Sequence, residues 1–388
     1  MTLAALLHAL DDEIPRALDL RHRLHACPEL GGEEHRTAAL IAGELPGHRV
    51  VAGTGLLARV GAAGPAVALR AELDGLAMTE ATGAAFAAAN GHMHACGHDV
   101  HAAALAAVVR AAARVAVRDG LPAPLVALFQ PCEERHPSGA VAVLRAGELA
   151  AEQVASVSAV HVHPDLPWGS LGAEPGTVNA AADAVLVEIE GSGGHAAYPH
   201  RTRDPVLALC QTVVALHTLV GRRLDPVEGG TLSVGMVAAG HTENVIPGLA
   251  QARLTIRSMT EADQAALRQA VWETVEHVAA AHGCRARLTV TKSEPPLVND
   301  PALTEEVRRG LPAAGFAAAP PWRSCGGDDF AHYGGKLPTL MIFAGLRGAP
   351  GFARAGLHEP TFLPPDAAVG AVARALALAY TAAARLLG

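Results

Sequence analysis

Between His94 and His101 the sequence reads His-Ala-Cys-Gly-His-Asp-Val-His, three imidazoles, a thiol and a carboxylate within eight residues. Cysteine sulfur and histidine nitrogen are the donors that borderline-soft divalent cations prefer. Gly97 stands between the thiol and the second imidazole, where it lets the backbone turn. The alanine-rich run Ala102 to Val117 reads as a helix, so the cluster is expected on the loop entering a helix N-terminus. A metal site here needs further ligands from elsewhere in the chain.

Few candidates for them exist. Glu133-Glu134 follows the apolar run Leu125 to Phe129 and the segment Gln130-Pro131-Cys132. Adjacent residues on an extended chain point opposite ways, so one carboxylate could hold a cation while the other faces a bound water. An isolated Glu-Glu pair is more often an exposed acidic turn, but the buried, proline-shaped approach favours the site reading. His161 and His163 are expected at the end of a strand and on one side of it. A lone histidine there is more often a hydrogen-bonded core residue than a ligand. His358 sits in the loop Gly356-Leu357-His358-Glu359-Pro360 and alone says little.

The elements that must position these residues alternate. Helical spacing predicts helices over Leu3–His25 and Glu33–Leu45. Apolar runs predict strands at Gly55–Val60, Ala66–Arg70, Leu125–Phe129 and Ala155–Val162, and a helix is expected from Ser138 to Leu149. Polar residues gather where the strands end, as Glu72 and Asp74 do, and in α/β sheets the site lies beyond the strands' carboxyl ends. From about Asn179 the pattern changes to β-α-β-β-α-β, a ferredoxin-like unit. Its strands are expected at Asp183–Glu190, Thr231–Ala238, Leu249–Arg257 and Arg285–Thr291, with helices from Pro205 to Val220 and Glu261 to His282. The α/β pattern then resumes with a helix over Asp300–Leu311, a strand over Leu337–Phe343 and a last helix from near Pro365. The expected division is therefore a discontinuous α/β domain, 1–178 and 293–388, interrupted by an inserted domain, 179–292.

The 388 residues are 50% hydrophobic but only 3% aromatic, which suits alanine-rich helices on a Val/Leu sheet better than an all-β fold. Net charge is −8 with scattered Lys and Arg, which argues against a nucleic-acid surface. Six dispersed cysteines (Cys27, Cys96, Cys132, Cys210, Cys284, Cys325) read as reduced thiols of a cytoplasmic protein. The N-terminus lacks a basic, cleavable leader pattern, and Arg374 and Arg385 interrupt the apolar C-terminal run. No membrane partner is expected.

Together the motifs resemble the N-acyl-amino-acid amidohydrolases, the family of hippurate hydrolases and auxin-conjugate hydrolases, related to aminoacylase and glutamate carboxypeptidase. The resemblance runs from Arg23-Leu24-His25-Ala26-Cys27-Pro28-Glu29-Leu30 through Leu69–Asp74, His94–His101 and Phe129–Glu134. It continues with His161-Val162-His163-Pro164, Gly193–His200, Asn244-Val245-Ile246-Pro247 and Leu357-His358. It implies a metallo-exopeptidase-like catalytic α/β domain carrying a ferredoxin-like lid and dimerisation domain. It implies Cys96, His98, Glu134, His161 and His358 as metal ligands, with Glu133 as general base. Five ligands exceed one tetrahedral ion, so two divalent ions per subunit are implied, zinc first, with manganese, nickel or cobalt also allowed.

Further implications are an oxyanion donor at His195, a substrate-binding amide at Asn244 and a carboxylate partner at Arg257. The substrate would be a small N-acyl amino acid, and the protein a homodimer or dimer-based oligomer through residues 179–292. The sequence departs from the family at Glu72, where Asp is usual, at Asp328, where Glu is usual, and at Cys132, where alanine is usual. A metallo-dipeptidase or carboxypeptidase on the same scaffold is the alternative, although those branches usually carry Asp where Cys96 stands. A non-catalytic metal-dependent binding protein would have no need of Glu133.

Overall fold

Runs rich in Val, Leu and Ala build a sheet whose central strands are covered on both faces. In this computed structural model, which describes residues 2–387, the strands Ala66–Glu72 and Leu125–Gln130 are buried at every position. That is the signature of parallel strands inside an α/β unit. The eight strands lie in the order Arg49–Val51, Gly55–Val60, Leu125–Gln130, Ala66–Glu72, Val154–Pro167, Thr339–Arg347, Ser170–Gly172 and Ala317–Ala318. The four consecutive strands from Leu125–Gln130 to Thr339–Arg347 run parallel, so their carboxyl ends share one edge.

Two long helices, His98–Asp119 and Ala367–Leu387, pack on each other within this unit. Both are long and apolar enough to cross a membrane, but 78% of the most apolar window of each is buried against the rest of the protein. Alanine dominates both, which lets helix backbones approach closely while still removing apolar surface from water. This unit comprises residues 2–176, 298–322 and 332–387.

The second unit comprises Thr177–Leu297 and Arg323–Ala331. The segment 323–331, expected with the first domain, groups here instead. Its four antiparallel strands lie in the order Gly230–Ala239, Leu249–Ser258, Ala181–Glu190 and Arg285–Glu294. The helices Pro205–Leu216 and Glu261–Ala281 pack on this sheet around Val187, Ile189, Leu254, Leu267 and Val271. Asp204 and Thr260 cap them, each side chain accepting backbone N–H bonds from the first turn.

Several expected boundaries move for local reasons. The helix expected over Leu3–His25 is two, Leu3–Asp11 and Ile14–His25, with Pro15 in the first turn of the second. The helix expected over Ser138–Leu149 breaks at Gly147, which takes a left-handed conformation. The helix expected from Ala102 begins at His98, so His98, Asp99 and His101 occupy its first turn rather than a loop. The strand expected to end at Val162 continues to Pro167, which places His161 inside it.

Candidate metal centre

Each candidate ligand is carried to one place by a nameable piece of backbone. Gly97 precedes the helix with φ +87, and a Cβ there would lie 2.6 Å from Val162 Cγ2. Only glycine satisfies both the left-handed turn and the close approach. The turn sets Cys96 before the helix and His98 on its first residue. Glu133 and Glu134 follow the strand Leu125–Gln130, and His161 rides on the next parallel strand but one. His358 is held left-handed (φ +64), and its N–H donates to Ala95 O at 2.9 Å, pinning its loop to the Cys96 segment.

The donor atoms converge. Those of Cys96, Glu134 and His358 all lie within 4.8 Å of one another, as do those of His98, Glu133 and Glu134. Cys96 Sγ is 3.4 Å from His161 Nε2, and His358 Nε2 is 3.2 Å from Glu134 Oε1. His161 Nδ1 donates to Val162 O at 2.7 Å, which leaves Nε2 facing the thiol. His98 Nδ1 donates to Asp74 O at 2.9 Å, and its Nε2 is buried with no hydrogen-bond partner. All five ligands implied by the sequence, with Glu133, are thus brought together.

Electrostatics sharpens the picture. Burial pushes the His98 imidazole down, but the Asp74 hydrogen bond and the charges of Glu72, Asp74 and Glu134 raise it to about 10. Burial and the charges of His101 and His98 push His161 down to about 3, which keeps it a neutral lone-pair donor. Burial opposes ionisation of Glu134, and the hydrogen bond from His358 with the charges of His98 and His358 overcomes it. The pocket is rich in carboxylate and calls for positive charge. The orphaned His98 Nε2 and a donor set of one thiol, three imidazoles and a carboxylate fit divalent metal, and they are too many for one tetrahedral ion.

His101 approaches the same group but is already committed. Its Nδ1 bonds Glu72 Oε2 at 2.9 Å, and its Nε2 accepts the Val162 N–H at 3.0 Å. Glu72 is in turn paired with Arg70, whose Nε donates to Gln130 Oε1 at 3.0 Å. Tyr333 donates to the same oxygen at 2.9 Å. Burial pushes Glu72 up, but Arg70 and His101 hold it well below the usual carboxylate range. The chain thus uses the longer Glu72 to orient His101, which fixes the backbone beside His161.

Asp74 was legible only as a strand-end acid, yet it bonds His98 and also accepts the Glu134 N–H at 2.8 Å. Its alternation with Glu72 along the strand is the signal that could have found it. His163 packs its ring against Trp322, with centroids 4.2 Å apart, and its Nδ1 accepts from Asp165 N–H.

His195, Asn244 and Arg257 belong to the second unit. His195 pairs with Val245 across a two-stranded ladder, and Ala196 N–H donates to Asn244 O at 3.0 Å, so these two lie together. His195 is exposed, and its Nδ1 accepts from Ala197 N–H at 3.1 Å, leaving Nε2 outward. Arg257 is half-buried and paired on both sides within the sheet, with its guanidinium beside Gly327.

A mixed α/β scaffold that gathers these donors beside a second carboxylate, Glu133, is an arrangement suited to metal-dependent hydrolysis. Residues 68–380 match Peptidase family M20/M25/M40, and the chain belongs to that family. It is similar to the N-acetyl-L-cysteine deacetylase of Bacillus subtilis (35% identical, covering 95% of this chain and 88% of the relative). It is also similar to the N-acetyldiaminopimelate deacetylase of Exiguobacterium sibiricum (32%, covering 91% and 95%). Among solved structures it resembles the YXEP protein of Bacillus subtilis, described as a dinuclear metal binding peptidase of the M20 family. The TM-score is 0.81 and the identity 28%, over 96% of this chain and 98% of that one. The chain is a hydrolase of amide bonds, and the family and its dinuclear member support two divalent ions per subunit.

Proposed function

We propose that the chain hydrolyses the amide bond of N-acyl amino acids, releasing a carboxylate and the free amino acid. The observation that carries this reading is the convergence of Cys96, His98, Glu134, His161 and His358 with Glu133 beside them. The names of the deacetylase relatives support the substrate class. In this reading those five residues hold two ions, zinc first by donor chemistry, with manganese, nickel or cobalt as other occupants. The ions supply Lewis-acid polarisation of the amide carbonyl and a water acidic enough to ionise near neutral pH.

Glu133 accepts the proton of the attacking water at a carboxylate oxygen and delivers it to the leaving nitrogen, so one carboxylate acts as base and then as acid. His195 supplies a hydrogen-bond donor to the oxyanion through its outward Nε2. Asn244 and Arg257 bind the amino-acid end of the substrate. A cleft of about 340 Å³ beside Glu134 and His358 has Leu30, Leu76, Ala77 and Met78 on one side and is also lined by Gly75 and Arg135. The apolar side of that cleft leaves room for an acyl group larger than acetyl. The protein acts in the cytoplasm as a homodimer or dimer-based oligomer through residues 179–292.

A panel of N-acetyl, N-benzoyl and indole-acyl amino acids with dipeptide controls, assayed with each metal and with a chelator, tests the reading. The expected result is chelator-sensitive release of amino acid from acylated substrates, fastest with an aryl acyl group. Faster turnover of dipeptides would replace this reading with a dipeptidase.

A further inference from the structure

The carboxylate of Glu133 is useful only if its backbone is held, and the backbone there is unusual. The strand Leu125–Gln130 ends, Pro131 follows, and Cys132 takes φ +53. A non-glycine residue in the left-handed region is disfavoured and persists only where its surroundings impose it. One restraint is local. The Cys132 carbonyl accepts from Gly139 N–H at 2.9 Å, closing the turn on itself.

The Cys132 thiol also reaches Pro137 O at 3.4 Å within the same turn, and a further restraint comes from a distant part of the chain. Cys132 N–H donates to Glu34 Oε1 at 2.7 Å, and Glu34 Oε2 accepts from the Thr54 hydroxyl at 2.6 Å. Glu34 is fully buried, and both of these partners are neutral. Burying a carboxylate on neutral donors alone is costly, and a backbone N–H to a charged acceptor is a strong bond. Glu34 also stands at the N-cap of the helix His35–Ala42, yet its side chain makes no capping bond there. The carboxylate reaches away from its own helix to the Cys132 turn. Two residues further on, Glu134 N–H donates to Asp74 Oδ2 at 2.8 Å. The amides on either side of Glu133 are therefore each held by a buried carboxylate.

We infer that Glu34 is a positioning residue for Glu133, holding the left-handed Cys132 so that the Glu133 carboxylate faces His98 and Glu134. The inference rests on Glu133 acting as the base. It gives the buried Glu34 side chain a role away from its own helix.

The test compares Glu34→Ala, Glu34→Gln and Thr54→Val in the metal-loaded enzyme with whichever N-acyl amino acid turns over fastest. kcat, KM, bound metal and amide hydrogen exchange over residues 130–139 are measured, the last also without metal. Misplacing a catalytic group by about 1 Å costs roughly 100-fold. Glu34→Ala is expected to lower kcat by about 10- to 100-fold, with KM within about threefold, two ions still bound and faster exchange at the turn. Glu34→Gln can still offer an oxygen to Cys132 N–H and an N–H to Thr54, and is expected to stay within about threefold of wild type. Thr54→Val should fall between them.

Wild-type kcat in Glu34→Ala, or a loss of kcat matched by loss of metal, overturns the inference. Should Glu34→Ala not fold, wild-type kcat and exchange in Thr54→Val overturn it instead. Glu133→Gln run alongside separates the two readings. Full activity there removes Glu133 as base, whereas an inactive Glu133→Gln beside a fully active Glu34→Ala removes only Glu34.

Discussion

Two clusters of ionisable side chains part at the first turn of the helix His98–Asp119, one led by His98 and the other by its neighbour Asp99. Both are buried, and both mix imidazole with carboxylate. Around Asp99 the carboxylate is matched to cations, although His94 beside it keeps both ring nitrogens without a hydrogen-bond partner. Asp99 Oδ2 accepts from Arg21 Nε at 3.0 Å and His25 Nδ1 at 2.9 Å, while His25 Nε2 bonds Glu80 at 3.1 Å. The remaining Arg21 nitrogens reach Asp366 and Pro364 O. Asp99 Oδ1 is left over, but two cations already balance that carboxylate. Around His98 the count does not close, because a buried ring nitrogen lacks a partner and the carboxylates outnumber the cations beside them. Burial and residue type do not distinguish a structural network from a ligand site. Convergence does: around His98 the donor atoms of neighbouring side chains lie within 4.8 Å of one another.

The sharpest way to break the comparison is at Glu133. Glu133→Gln keeps size and hydrogen bonding and removes the base, so kcat should fall by about 10²- to 10⁴-fold while the protein keeps two bound ions per chain. Near-normal turnover in that variant would remove the carboxylate from the chemistry and leave the open cluster as a binding site only.

Cys96→Ala is next in size. It deletes a donor that lies near both His161 and the Glu134–His358 pair. Bound metal should drop below two per chain by elemental analysis. An unchanged stoichiometry would mean that the thiol only packs, and that the His98 cluster is less open than its geometry indicates.

How much of this was legible follows the same divide. The parallel strands announce themselves as short runs rich in Val, Leu and Ala, and the donor residues carry their chemistry in their type. Their gathering in space was implied by the family resemblance, not by residue type, which left His161 and His358 open. The geometry between them was implied by neither. Glu133 and Glu134 read as neighbours on an extended chain pointing apart, yet the left-handed Cys132 brings both carboxylates to His98. His101 reads as a residue behind the ligands or at the helix start, but only the structure shows Glu72 and Val162 occupying both of its nitrogens. The start of the helix at His98 depends on Gly97 taking positive φ against Val162, a contact between residues far apart in sequence. Arg21 meets Asp366 across 345 positions, and no local pattern announces that pairing. Local composition shows which residues can do chemistry. Long-range hydrogen bonds decide which remain free to do it.

The closed cluster offers the smallest effect and the cleanest contrast. Burial pushes the His25 imidazole down, but the charge and hydrogen bond of Asp99, with those of Glu80, raise it from 6.5 to about 9. A histidine whose folded value lies above its unfolded one stabilises the fold fully below the unfolded value, and loses that contribution as pH rises through the folded one. The window is therefore pH 6.5 to 9, and a shift of that size corresponds to at most about 3 kcal/mol. His25→Gln keeps a polar side chain but cannot carry the charge. The stability gap between wild type and variant, from urea unfolding, should be widest near pH 6 and shrink by pH 10. Bound metal in the folded variant should stay at the wild-type level. A gap that does not change with pH would mean that His25 is held neutral, and that the Asp99 cluster balances its charge through Arg21 alone. Loss of metal would join the two clusters into one site and end the distinction between them.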